Sequence, residues 1–289
     1  TPNGYRYLVV IYCIYILPKI RNNQDMILGI DAFNIRAGGC VTHLCEILRV
    51  ANPSTYGFNR VVVWGNTATL AKIDDRNWLR KIHVPLLERA LIYRIFWHRF
   101  MSKELVQQTK CNLLFVPGGS DANGFYPIVT MSQNMLPFEW HELWRYRSPL
   151  AILRLLLIRR TQIRSFRKAD GVIFLTKYAY EAISKITGKI VGKSIIIPHG
   201  ISPRFCLKPR VQRLTTDFSD NHPCRILYVS SLYAYKHQWH VAEAVALLRK
   251  EGIPIMLELV GAPAEGMQRL KSTMDKLDPQ RKYITFHGV

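Results

Sequence analysis

Lys236 stands between a strand-like run, ILYVS, and a helical pattern that begins near Gln238. A lysine beside the free amides of a helix N-terminus makes a cradle for a diphosphate; a solvated loop lysine is the bland alternative. Gly38 and Gly39, in IRAGGCVTHL, follow the first strand pattern and precede a helix. Paired glycines there let backbone amides approach a phosphate or sugar, and they equally serve a tight strand–helix turn. His43, one turn further on, reads as a packed or solvated histidine rather than a catalytic one. The third group is SQNMLPFEW, residues 132–140, with Gln133, Asn134 and Glu139 as its polar candidates. Asn134 has the chemistry to bind a hydroxyl. Glu139 is either a functional carboxylate or a first-turn residue balancing a helix dipole.

Positioning these groups requires elements. Short apolar, β-branched runs recur at Met26–Ile30, Arg60–Trp64, Asn112–Val116, Ile128–Met131, Gly171–Leu175, Ser194–Ile197, Arg225–Val229, Ile255–Val260 and Tyr283–Phe286. Helical patterns fall near 40–51, 86–109, 139–168, 178–190, 238–251 and 265–276. This alternation predicts α/β architecture with parallel sheets covered by helices. IIIP and VIFLT are apolar at every position, as strands buried on both faces should be. Loops after the carboxyl ends of such strands form the crevice of a doubly wound sheet, and the glycine pair, the SQN loop and Lys236 all fall there.

Residues 205–223 are polar, contain two prolines and separate IIIPHGI from a fresh strand, RILYVS. They read as a linker. The expected organisation is an uncertain N-terminal extension at 1–25, a Rossmann-like domain at 26–204, the linker, and a second Rossmann-like domain at 224–289 holding about half a doubly wound sheet. Within 1–25, Tyr7–Leu17 is an 11-residue apolar run, short of the roughly 20 residues of a membrane span. Met26 is a plausible start, and the strand pattern that ends the chain at Val289 suggests a fragment.

The 289 residues carry 40 Lys and Arg against 20 Asp and Glu, a net charge of +20, with 48% apolar residues. That composition excludes a disordered chain and implies an anionic partner or surface. No zinc-finger, ribonucleoprotein or basic-zipper pattern is present, and nucleic acid is not the expected partner. The six cysteines include no CxxC pair, and HxxxH and HExxH are absent, so no metal site is expected. The GxGxxG fingerprint is missing too, against a dehydrogenase.

The charge concentrates in 142–168, where eight basic residues (Arg145, Arg147, Arg154, Arg159, Arg160, Arg164, Arg167, Lys168) face one acid, Glu142. Trp140, Trp144 and Tyr146 sit at its start and leucines fill its centre. An apolar stripe with arginines beside it suits an anionic leaflet, and a core helix with a solvated basic face is the alternative. A second basic, aromatic helix, ALIYRIFWHRFMSK at 90–103, is placed to share that surface.

Taken in order, the AGG loop, SQNMLPFE, ADGVIFLTKYAYEAI, IIIPHGISPRF, ILYVSSLYAYKHQ and LELVGAP resemble a family 4 glycosyltransferase over about 26–289. The resemblance implies the two-domain GT-B fold, here with its second domain incomplete. It implies hexosyl transfer from a nucleotide-sugar donor, with retention at the anomeric carbon, no obligatory metal and no cofactor beyond the donor. Lys236 would neutralise the donor diphosphate, Gly38 and Gly39 would line the cleft opposite it, and Gly261 would sit near the nucleotide. Ser231 occupies a position where the family often has an arginine, and Ser-Gln-Asn stands where many members carry a histidine. The catalytic group therefore stays open, with Asn134 and Glu139 as candidates. The family's Glu-x7-Glu donor segment and its final crossing helix would lie beyond Val289, so this stretch by itself is expected to be inactive. The leading expectation is an enzyme of cell-surface polysaccharide or lipopolysaccharide synthesis. It would be cytoplasmic, peripheral to the inner face of the membrane, and act on a lipid-linked or glycan acceptor. A nucleotide-sugar epimerase of the same fold, and a basic lipid- or nucleic-acid-binding protein without catalysis, are the alternatives.

Overall fold

A computed structural model describes residues 26–120, 124–146 and 148–288; the 1–25 extension, Arg147 and Val289 lie outside it. The chain divides into two compact units, Thr1–Trp140 with Leu150–Cys206, and His141–Pro149 with Leu207–Val289.

The first unit is built on a parallel sheet. Its strands are β1 (Met26–Asp31), β2 (Phe58–Gly65), β3 (Leu79–His83), β4 (Leu113–Val116), β5 (Ile128–Ser132), β6 (Gly171–Phe174) and β7 (Lys193–Ile196). Their order, β3-β2-β1-β4-β5-β6-β7, is doubly wound, with the reversal of direction between β1 and β4. Successive strand residues feed opposite faces. Val61, Val63, Leu113 and Phe115 join one apolar cluster, and Val62, Trp64, Leu114 and Val116 join the other. Helices cover both faces: α1 (Gly39–Val50) on the first, and α4 (Pro149–Lys168) and α5 (Lys177–Thr187) on the second, with α2 (Leu91–Phe96) and α3 (Ser102–Gln108) in sequence between them. Gly29 makes room within β1, since a Cβ there would lie 2.7 Å from the Cys111 sulfur and 3.0 Å from the Trp64 ring.

Four sequence expectations change. The strand β3 was missed, because LRKIH places its apolar residues three apart, a helical spacing, on a half-covered edge strand. The pattern at 139–168 is a single helical turn, Trp140–Leu143, followed by α4. Pro149 has no amide to donate and disfavours helix at the preceding residue, so it starts α4 afresh. The 86–109 pattern starts helically at Leu91, after a Pro85-led 3₁₀ turn, and widens to a π turn over Trp97–Met101 between α2 and α3. The IIIP strand is not buried on both faces: β7 is an edge, with Ile197 buried and Ile196 exposed. VIFLT is the buried strand expected, as Val172, Ile173 and Phe174 show.

The second unit has a parallel sheet in the order β10-β9-β8, from β8 (Cys224–Val229), β9 (Ile255–Val260) and β10 (Ile284–Gly288). Helices α6 (Gln238–Lys250) and α7 (Met267–Leu277) pack on it through Trp239, Ala242, Leu270 and Met274.

Candidate functional site

In the first unit, a cleft of about 440 Å³ opens at the carboxyl edge of the sheet. Gly39 and His43 of α1, Gln133 after β5, and Pro198, His199 and Gly200 after β7 line it. Gly38 takes φ 65°, a left-handed conformation that glycine adopts freely, and so turns the chain into α1. No side chain caps that helix, and its first turn holds no acid. A Cβ at Gly38 or Gly39 would meet nothing within 4 Å. The positive end of α1 is therefore open to an anionic or hydroxylated group.

His43 is packed, as expected, and also lines this cleft. Its ring stands edge-on to His199, centroids 4.4 Å apart. The Gln133 amide Nε2 lies 3.2 Å from His43 Nδ1, where the amide N–H donates to the bare ring nitrogen of the neutral tautomer. Burial, reinforced by the His199 charge, pulls the His43 pKa down to about 4. Burial also lowers that of His199. At neutral pH the pair is an uncharged donor–acceptor surface.

Asn134 and Glu139 are not among the cleft-lining residues. The Asn134 carbonyl oxygen accepts the Leu136 amide at 3.0 Å, an Asx turn that shapes its own loop. The Glu139 carboxylate accepts a short hydrogen bond from the Tyr178 hydroxyl at the start of α5, and this bond raises the Tyr178 pKa. Gln133, their neighbour, is the loop's contribution to the cleft. His199 was not singled out in the sequence, although PHG after a strand lies where such folds place ligands.

In the second unit Lys236 ends a 3₁₀ turn, Ala234–Lys236, and left-handed His237 (φ 55°) leads into α6. Lys236 is exposed, its Nζ lies 5.2 Å from the Tyr235 ring centroid, and it makes no ion pair among the described residues. The first turn of α6 carries neither an acid nor a side-chain cap. Buried Gln238 holds the loop, donating from Nε2 to the Ser231 carbonyl at 3.1 Å and the Ser230 carbonyl at 3.4 Å. Gly261 lies against the same backbone: a Cβ there would be 2.0 Å from the Ser230 oxygen and 2.9 Å from the Ser231 nitrogen. Ser231 and Gly261 thus meet at the carboxyl ends of β8 and β9, and Lys236 lies further along the same β8–α6 loop. The His237 Nε2 lies 3.2 Å from a Glu142 oxygen, and Glu142 also accepts from Arg145 Nε at 3.1 Å. Gly38, Gly39, Asn134 and Glu139 belong to the other unit.

Among the described residues no group of three or more His, Cys, Asp or Glu side chains is arranged to hold a metal, and no helix is long and apolar enough to cross a membrane.

No family model and no curated protein matches the chain. Solved structures do match in fold. The chain is similar to WaaG, a glycosyltransferase involved in lipopolysaccharide biosynthesis, with a TM-score of 0.57 and 14% identity, over 91% of this chain and 70% of that one. A glycosyltransferase from Rickettsia africae ESF-5 gives 0.55 and 13%, over 92% and 68%. The UDP-N-acetylglucosamine 2-epimerase from Rickettsia bellii gives 0.52 and 10%, over 92% and 69%. At these identities the likeness establishes the fold, α/β of the GT-B type.

Proposed function

We propose that this chain is a metal-independent, retaining glycosyltransferase that moves a hexosyl group from a nucleotide-sugar donor to a lipid-linked or glycan acceptor in cell-surface glycan synthesis. The observation that carries the reading is the Lys236 loop: an exposed lysine, free of ion pairs among the described residues, at the uncapped start of α6, on a loop whose Ser230–Ser231 backbone packs against a glycine that admits no side chain. A donor diphosphate there meets a lysine ammonium and helix amides. Both stabilise the charge that builds on the leaving nucleotide, so the step needs no metal. The acceptor is assigned to the first unit's cleft, where Gly39, neutral His43, Gln133 and His199 offer hydrogen bonds to hydroxyls. Asn134 and Glu139 keep supporting roles in this reading, since both are engaged in holding loops.

The protein is further proposed to work at the inner, anionic face of a membrane. The first half of α4 exposes Leu150 (78%), Leu153 and Leu157, and its second half exposes Arg160, Arg164, Arg167 and Lys168. With the leucines at one end of this exposed stripe and the cations at the other, a tilted α4 would seat the leucines at the acyl boundary and the cations at headgroup level.

An epimerase is the second reading, favoured by the fold similarity to the 2-epimerase. One assay separates the two. Native protein is given UDP- and GDP-sugars with lipid vesicles, and free nucleotide and epimerised donor are both followed. Release that falls at least about tenfold (about 1.4 kcal/mol of transition-state stabilisation) in Lys236→Ala supports transfer and the diphosphate role. Release unchanged in the variant removes Lys236 from the site, and donor interconversion without release replaces the transferase with the epimerase.

A further inference from the structure

Helix α4 carries six Lys or Arg and no acid between Pro149 and Lys168. Five of them, Arg159, Arg160, Arg164, Arg167 and Lys168, line one cavity of about 570 Å³ together with Trp140. Arg160, Arg164, Arg167 and Lys168 follow one another at three or four residues, which puts them on one face of the helix. Leucine and isoleucine complete the lining, and all of it belongs to the first unit.

Two of the five cations are held by carbonyls. Arg159 Nη1 donates to the Pro137 carbonyl at 3.2 Å, and its guanidinium lies 4.4 Å from the Trp140 ring centroid. Arg167 Nε donates to the Thr187 carbonyl at 2.6 Å. Each thereby spends one of a guanidinium's five N–H groups. Arg160, Arg164 and Lys168 are exposed and make no side-chain hydrogen bond or ion pair among the described residues.

Folding does not account for the cluster. Arg160 with Arg164, and Arg164 with Lys168, are like charges four residues apart, which destabilise a helix. The helix dipole favours cations in the last turn, a reason for Arg167 and Lys168 but not for Arg159, Arg160 and Arg164. No acid lines the cavity. The carboxylates nearest in the chain are engaged elsewhere: Glu139 accepts from the Tyr178 hydroxyl, and Asp170 accepts the Ile128 amide at 2.8 Å. The counter-charge therefore comes from outside the chain. Guanidinium forks opening on one cavity match phosphoryl oxygens in shape as well as charge, and the volume is that of a small-ligand site.

We propose that Arg159, Arg160, Arg164, Arg167 and Lys168 form a binding site for a multiply charged phosphoryl group. A phosphorylated headgroup in a bilayer and a free phosphorylated molecule present the same chemistry. A lipid-borne source rests on the membrane reading of α4; binding of the anion does not.

The test uses the whole protein and two probes: inorganic pyrophosphate, followed by calorimetry, and phosphatidylcholine vesicles with or without phosphatidic acid, followed by sedimentation. Calorimetry is done in Lys236→Ala, so that the loop proposed to hold a donor diphosphate does not contribute. In that background Arg160→Gln and Arg164→Gln should each weaken pyrophosphate binding about tenfold or more. Arg154→Gln, exposed on the same helix but outside the cavity, is the charge control and should stay near the parent. Melting temperatures should not fall in the two cavity variants, since each removes like-charge repulsion. Absence of pyrophosphate binding with the cavity arginines intact, binding unchanged in the cavity variants, or equal loss in the control overturns the proposal. Loss that extends to phosphatidic acid vesicles assigns the site to a lipid headgroup, and vesicle binding unchanged while pyrophosphate binding is lost assigns it to a free ligand. Nucleotide release is read separately, with Lys236 in place. Cavity binding without release supports the site and removes the transferase; release without cavity binding removes the site and leaves the transferase.

Discussion

A hydrogen bond from Gln133 reaches His43 at the nitrogen that a proton would occupy, and burial with the nearby His199 holds its pKa at about 4 against an ordinary 6.5. Between those values the unfolded chain binds a proton that the folded one refuses. Stability therefore rises with pH there: the contribution is fully present above about pH 6.5 and is lost as pH falls through 4. At about 1.4 kcal/mol per unit, the full swing is of order 3 kcal/mol. A ¹⁵N titration should show the His43 ring neutral, with its proton on Nε2, until about pH 4. A midpoint near 6.5 would mean that His43 is solvated. The sequence could place His43 one turn after Gly39, but not Gln133 or His199 beside it. Gln133 and His199 lie 66 residues apart in the numbering and meet His43 only because the sheet folds their loops to one edge.

Elements decided where glycine matters. Gly38 and Gly261 look alike in the sequence, each following a strand. A Cβ at Gly38 meets open space, so Gly38→Ala costs only backbone strain, of order 1–3 kcal/mol, because φ 65° with ψ −153° lies in a region essentially reserved for glycine. At Gly261 the ends of β8 and β9 approach so closely that a Cβ would strike the Ser230 carbonyl. Gly261→Ala should cost about 3 kcal/mol by forcing backbone to move, and should displace the Lys236 loop with it. Thermal unfolding of the two variants side by side checks this; equal losses would show that the β8–β9 contact relaxes freely. Element boundaries followed the same division. Buried strands such as β6 were plain from unbroken apolar runs, whereas the edge strand β3 lacked that signal. Pro149 marked a helix start in plain view, yet the periodic leucines and arginines on both sides read as one helix.

The charge of +20 constrains the molecule as a whole, and the fold determines how it is displayed. α4 buries Gln162, Ser165 and Phe166 while exposing Leu150, Leu153 and Leu157, an inversion that core packing alone would not favour. Replacing the three leucines with serine should leave the melting temperature within about 2 °C, because exposed side chains contribute little to folding. Association with anionic vesicles should fall by about tenfold or more as apolar burial is lost. Retained association would assign the interaction to charge alone, and then it should collapse with added salt.

From the sequence alone came the alternation of strand and helix, hence the parallel sheets, because apolar periodicity is a local property of the chain; the GT-B type of fold was implied only by the resemblance that its motifs carry in order. The same local reading found the glycine pair and the lysine at helix starts, because strand–turn–helix punctuation is written within a few residues. What the tertiary structure decided is which side chains share a cleft and which runs of leucine face solvent. Those depend on distances between residues far apart in the chain, which sequence spacing does not encode and sheet order does.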